Sequence, residues 1–328
     1  MNFRFILILC LVFSFLLFNG CTTPQFRENK TNKLTIVTTI FPLYEFSREI
    51  GQDKVNVILL IPPGLEPHTF EPKPSDIKTI SNSDLFVYVG EGMEPWAHDL
   101  FEGINPNNST LFKASNYAKL IHNQDKGEEQ EDEKHNEYEE QKEEIEEYHH
   151  PEEYDPHIWL DFSNDVRIVQ ELTKIINEID QNNSQYYLTN AENYIKLLED
   201  LDKNYFNELS NCNHKEFISG GHNAFGYLAN RYDLNSIAIS GLSPNSEPTP
   251  QKMKTIIELT KAKGIQYIYF EELLNSSIAT TIAQETGTQT LKLNPAGNLS
   301  KKEFDDKITF IDIMKANLES LKIGLECN

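Results

Sequence analysis

The chain has 328 residues, enough for two domains with separate cores. Its formal net charge of −22 argues against a nucleic-acid partner and against an anionic membrane surface. About half of that excess lies between Glu128 and Glu153, where fourteen acids stand against two lysines, so the rest of the chain is only mildly acidic.

Residues 1–20 read as a signal peptide. Arg4 gives a small basic start, and the apolar run from Ile6 to Phe18 is too short for a span of ~20 residues. Gly20-Cys21 resembles a lipoprotein processing site with Cys21 as the lipidated residue; the alternative is ordinary secretory cleavage nearby. Residues 22–32 are polar and suit a tether. Of the four cysteines, Cys10 leaves with the signal and Cys21 is the candidate anchor. Cys212 and Cys327 then either pair, as exported proteins allow, or stand as two thiols.

The β-branched run 33–39 predicts a first strand, 41–50 a helix stopped at Gly51, and 55–61 a second strand stopped by Pro62-Pro63-Gly64. A helix over 75–81 and a strand over 85–89 follow. Strands alternating with helices imply a parallel sheet covered on both faces, with ligands beyond the carboxyl ends of its strands. The loop after the second strand places three prolines and a glycine around His68. Residues 123–153 lack apolar periodicity and read as a solvated His/acid-rich insertion. Its His135, His149 and His150, with His122 beside it, mix imidazole with carboxylate as borderline divalent metals prefer. A plain solubilising charge run is the alternative.

At Asp155-Pro156-His157-Ile158-Trp159-Leu160-Asp161 the composition becomes that of a folded domain. Pro156 fixes its own φ and pushes Asp155 toward an extended backbone, so His157 is presented at a defined point. Residues 164–179 form an amphipathic helix. A second helix from 183 or 184 to about 209 carries Tyr187, Leu188, Ala191, Tyr194, Leu197, Leu198, Leu201 and Tyr205 as its apolar stripe. It reads as a backbone helix (183–211) between an N-terminal lobe (33–182) and a C-terminal lobe (212–328). In the second half a strand ends in Gly220-Gly221 before His222 and a helix over 224–232. Strands are expected at 236–239, 265–270 and 288–293, helices at 251–262 and 277–285, and one closing helix over 302–325.

His68, His157 and His222 thus sit at strand ends or domain edges, and imidazole suits zinc. Three neutral nitrogens leave the ion's charge uncompensated, so nearby carboxylates are expected, with Glu66, Asp155, Asp161 and Glu272 as candidates.

Three segments carry a family resemblance. Pro67-His68-Thr69-Phe70-Glu71-Pro72, Asp155 to Asp161, and His222-Asn223-Ala224-Phe225-Gly226-Tyr227 resemble the signature segments of metal-specific solute-binding proteins of ABC transporters. The insertion resembles that of the zinc-uptake branch. The resemblance spans about residues 33–325. It implies two α/β lobes with parallel sheets joined by one long helix, Zn2+ as cargo on His68, His157 and His222, and a monomer serving an ABC permease from a lipid anchor. His222, rather than an acid, leans toward zinc over Mn2+. Many family members place a carboxylate near the segment that here reads Leu291 to Gly297. Asn294 stands there instead, leaving the fourth position to water or another residue. An exported zinc hydrolase is the competing class, although no His-Glu-x-x-His helix or nucleophile signature occurs. A surface adhesin is a third.

Overall fold

The computed structural model describes residues 33–106, 109–122, 154–242, 244, 248–274 and 276–327. The signal, the tether with Cys21, and His135, His149 and His150 lie outside them. Among the described residues no helix is long and apolar enough to cross a membrane.

The first sheet has strands β1 (Leu34–Thr38), β2 (Val55–Leu59), β3 (Leu85–Tyr88) and β4 (Thr110–Lys113) in the order β2-β1-β3-β4, all parallel. Parallel neighbours need crossovers, supplied by α1 (Phe41–Gly51), α2 (Pro74–Ser81) and α3 (Ala97–Ile104). The run Leu-Phe-Val-Tyr of β3 is buried throughout, as a central strand covered on both faces requires. Both α3 and β4 are short, and the sequence reading passes over them.

The second sheet repeats this topology. Strands β5 (Glu216–Ser219), β6 (Asn235–Ala238), β7 (Tyr267–Phe270) and β8 (Gln289–Lys292) lie in the order β6-β5-β7-β8, again all parallel. Between them run α6 (Gly226–Arg231), α7 (Pro250–Lys263) and α8 (Ser277–Thr286).

Two long helices occupy the middle of the chain, α4 (Phe162–Ile179) and α5 (Ser184–Leu209). The 26 residues of α5 span about 39 Å at ~1.5 Å each. Its buried residues are Tyr187, Ala191, Tyr194, Leu198, Leu201, Tyr205 and Leu209, at the three- and four-residue spacing of one helix face. Leu188 and Leu197, expected on that stripe, are 40% and 51% exposed, because they fall one position off the i, i+3, i+4 series. The core continues from the first sheet through both long helices into the second half.

The expected closing helix is two helices, α9 (Lys301–Asp305) and α10 (Phe310–Gly324). Lys307 takes a left-handed φ of 60°, and Thr309 with Asp312 forms a capping box that restarts the helix. Cys212 and Cys327 are joined by a disulfide, which ties the end of α5 to the end of α10.

A strap of chain, residues 294–300, leaves β8 and crosses to the first half. Asn298 Nδ2 donates to the carbonyls of Pro62 and Leu65, both at 2.9 Å. The Gly64 amide donates to Leu299 O at 2.6 Å, Phe41 N to Gly297 O at 3.1 Å, and Trp159 Nε1 to Pro295 O at 2.7 Å.

Candidate metal centre

Three loops at the carboxyl side of the sheets converge. After β2 the chain runs through Pro62-Pro63-Gly64 into a short 3-10 turn, Pro67–Thr69, in which His68 is the middle residue. His157 precedes a second 3-10 turn, Ile158–Leu160, whose residues are all buried. His222 follows β5 across Gly220-Gly221.

The Nε2 atoms of His68 and His157 are 3.1 Å apart, as are those of His157 and His222. One ring nitrogen from each residue lies within 4.8 Å of the others. Bonds of ~2.05 Å in a tetrahedron place donor atoms about 3.3 Å apart, so the spacing fits a single zinc-sized ion.

Outer hydrogen bonds fix which nitrogen faces inward. Asp155 Oδ1 accepts from the His157 backbone N–H at 3.0 Å and faces its Nδ1 at 2.7 Å. Glu271 repeats the device: Oε1 accepts from the His222 backbone N–H at 2.9 Å, and Oε2 is 2.9 Å from Nδ1. A carboxylate holding Nδ1–H leaves the Nε2 lone pair free and makes it more basic. Gly221 makes the second arrangement possible, because a Cβ there would lie 1.7 Å from Glu271 Oε1.

Burial sets the charge state. It drives the His68 imidazole down to about 2, helped by His157 and His222, and pushes His157 well below its usual range. Burial also acts against the charged form of His222, but the charge and hydrogen bond of Glu271, with Glu66 and Asp155 behind it, outweigh this and raise its pKa. Burial lifts Asp155 to about 7 and raises Glu66. Burial thus favours the neutral imidazole at His68 and His157, the form that can ligate a metal.

Of the expected supporting acids, Asp155 is in place, and Glu66 lines the cavity, with Oε1 3.3 Å from the His68 amide. Asp161 is not at the centre. It caps α4 by accepting from Ser163 N at 2.8 Å and pairs with Arg231 at 3.0 Å. Glu272 also lines the cavity but pairs with Lys292 from the turn just beyond β7, while Glu271 is the acid that holds His222. The sequence shows two adjacent acids; only the folded contacts separate them. Asn294 lines the cavity, but its Oδ1 accepts from Ala296 N at 2.8 Å. His122 pairs in an isolated bridge with Tyr154, and Asp155 N donates to Ile121 O at 3.1 Å, so both roots of the insertion adjoin Asp155. Trp159, Met93 and Gly297 also line the cavity, which measures about 20 Å3, the room of a single water-sized particle.

The model of the family described as zinc-uptake complex component A periplasmic, ZnuA, matches residues 36–324. The chain is 39% identical over 314 residues to the high-affinity zinc uptake system protein ZnuA of Bacillus subtilis, covering 95% of this chain and 94% of that one. It superposes with a TM-score of 0.73 and 38% identity on the metal-dependent lipoprotein YcdH of Bacillus subtilis, over 89% of this chain and 99% of that one. The Zn(II)-bound ZnuA-like domain of Streptococcus pneumoniae AdcA also gives a TM-score of 0.73, at 33% identity over 90% of this chain and 99% of that one. Against the whole zinc-binding protein AdcA of Streptococcus pyogenes the chain spans 56% of the length. With its paired four-stranded sheets, its long central helix and the match over nearly all described residues, the chain belongs to the ZnuA family of zinc-uptake solute-binding proteins.

Proposed function

We propose that this protein captures one Zn2+ outside the cytoplasmic membrane, on His68, His157 and His222, and delivers it to an ABC permease for zinc uptake. It works as a monomer held to the membrane by a lipid on Cys21. The observation that carries the reading is the approach of three inward-facing Nε2 atoms at zinc-like spacing. Three imidazoles favour zinc over manganese, which prefers oxygen and higher coordination. The cavity of about 20 Å3 suits an ion. Its matches to zinc-uptake and zinc-binding proteins support the same cargo. His135, His149 and His150 of the insertion act as weaker collectors whose segment joins the fold at Asp155.

Metal analysis and chelator-competition calorimetry test this. The protein should hold one tight zinc, His157→Ala should weaken it by orders of magnitude, and His98→Ala should leave it unchanged. Retention of wild-type zinc affinity by the His157 variant refutes the triad. Manganese binding within about tenfold of zinc, or ~1.4 kcal/mol, refutes the choice of cargo.

A further inference from the structure

Residues 155–161 carry His157 and belong to the first half, yet both ends of this segment are gripped by α6, the helix that follows His222 in the second half. At one end the Tyr227 hydroxyl donates to Asp155 O at 3.0 Å and accepts from Ile121 N at 3.1 Å. Ile121 stands opposite Asp155 beside the antiparallel bridge of His122 with Tyr154, and Asp155 N donates to Ile121 O at 3.1 Å. A regular hydrogen-bonded pair would return a bond from Ile121 N to Asp155 O. Here the buried phenol oxygen stands between those two atoms and satisfies both. Gly226 permits the approach, because a Cβ there would lie 2.6 Å from Asp155 Oδ2. At the other end Arg231 Nη1 pairs with Asp161 at 3.0 Å, while Nε and Nη2 grip Asp202 of α5. Tyr227 and Arg231 are one i, i+4 step apart on α6 and so share a face of it. His68 lies outside this arrangement, on a loop bonded instead to the strap at Asn298.

Resting on the triad reading above, we propose that Tyr227 and Arg231 are positioning residues of the metal centre, which lock the His157 segment to α6 and so hold His157 and His222 as one two-nitrogen seat that stands without His68. Asp155 is the lever. Tyr227 fixes its carbonyl, and its Oδ1 accepts from His157 N at 3.0 Å and faces His157 Nδ1 at 2.7 Å. On the other side a single turn, Ala224 N to His222 O at 2.9 Å, leads from His222 into α6. Without the hydroxyl, Ile121 N and Asp155 O either close on each other, which draws Asp155 away from α6, or stay buried and unpaired at a cost. Both outcomes loosen the hold on His157. With the clamp in place the ion meets two nitrogens already spaced for it, 3.1 Å apart, and His68 closes on it from its own loop.

Tyr227→Phe removes the hydroxyl and keeps the buried ring. Arg231→Lys keeps the charge but cannot fork between Asp161 and Asp202, and it gives the same reading should the first variant not fold. The probes are Zn2+, by competition with chelators matched to each variant, and Co2+, by its visible ligand-field spectrum; melting of the metal-free protein follows the fold. Each variant should still take one equivalent of Zn2+, about tenfold weaker, with a changed cobalt spectrum. The cost of Tyr227→Phe should persist in a His68→Ala background, where the seat remains, and vanish in a His222→Ala background, where nothing is left to align. Wild-type affinity with an unchanged cobalt spectrum, even at a lowered melting temperature, overturns the proposal and leaves α6 a purely structural role. An equal cost in the two backgrounds also overturns it, as does the absence of measurable zinc on His68→Ala. Failure of the triad reading looks different, since wild-type protein itself would then hold no tight zinc.

Discussion

Gly221→Ala should cost zinc affinity without touching any ligand. Gly221 has no left-handed φ, so its backbone accepts alanine. The added Cβ, however, falls 1.7 Å from Glu271 Oε1 and 2.6 Å from its carboxyl carbon. The carboxylate must retreat by more than about 1 Å to reach ordinary contact distance. That takes it out of range of both the His222 amide and its Nδ1, each now 2.9 Å away. A hydrogen bond to a charged group contributes about 1.5–3 kcal/mol. Loss of such support to a metal-bound imidazole typically lowers affinity 10–100-fold, which converts to about 1.4–2.7 kcal/mol, so the two estimates agree. Chelator-competition calorimetry reads the affinity, and melting of the metal-free protein checks the fold. Gly220→Ala is the contrast: its Cβ would meet Ala279 Cβ at 2.4 Å and Tyr269 O at 2.9 Å, so it should lower stability instead. The decisive measurement is a double-mutant cycle. If Gly221 acts through Glu271, the alanine should cost nothing in a Glu271→Ala background. An equal cost in both backgrounds, or wild-type affinity in the single variant, refutes the reasoning.

Two further outcomes concern the scaffold. Asp165 on α4 is fully buried and neither carboxylate oxygen has a hydrogen-bond partner among the described residues; burial and then Asp161 push its pKa well above 3.8, with Asp202 adding to this and Arg231 and Arg167 opposing. The folded state therefore keeps this proton longer than the unfolded chain, and stability falls as pH rises from about 4. Asp165→Asn should melt higher than wild type at pH 8, with the gap closing toward pH 4; a gap independent of pH counts against it. The Cys212–Cys327 disulfide closes a separation of 115 residues. Its replacement by two serines should remove about 3 kcal/mol of stability and several degrees of melting temperature, with zinc affinity kept. An unchanged melting temperature would sink this.

What the sequence makes legible is local. Runs such as Leu85 to Tyr88 announce buried strands, and Pro62-Pro63-Gly64 and Gly220-Gly221 mark where strands stop and a histidine is presented. Asp155 is legible because it lies two residues from the histidine it holds. The break at Lys307 is also written locally, in Thr309 and Asp312, but a capping box inside a periodic apolar pattern is easily overridden by the pattern. Glu271 is harder. Its neighbour Glu272 carries the same charge, and only the folded contacts assign Lys292 to one of them.

His68 shows why the remainder is hidden. The other two imidazoles are each held at Nδ1 by a carboxylate, whereas among the described residues none holds the ring of His68. Its position therefore depends on the backbone of the loop that carries it. That loop has internal restraints in its prolines and in the Leu65 N to Pro62 O bond of 3.2 Å. Its placement against the second half comes from Asn298, which bonds Pro62 O and Leu65 O, and from the Gly64 N to Leu299 O bond of 2.6 Å. Asn298 lies more than 230 residues from the loop in sequence and is only 2% exposed. No periodicity or spacing links the two segments. The link exists because the strap after β8 meets the loop after β2 in the folded chain. The position of one of the three clustered imidazoles is thus set by hydrogen bonds made from the opposite half, and the cluster forms only when the two halves are together.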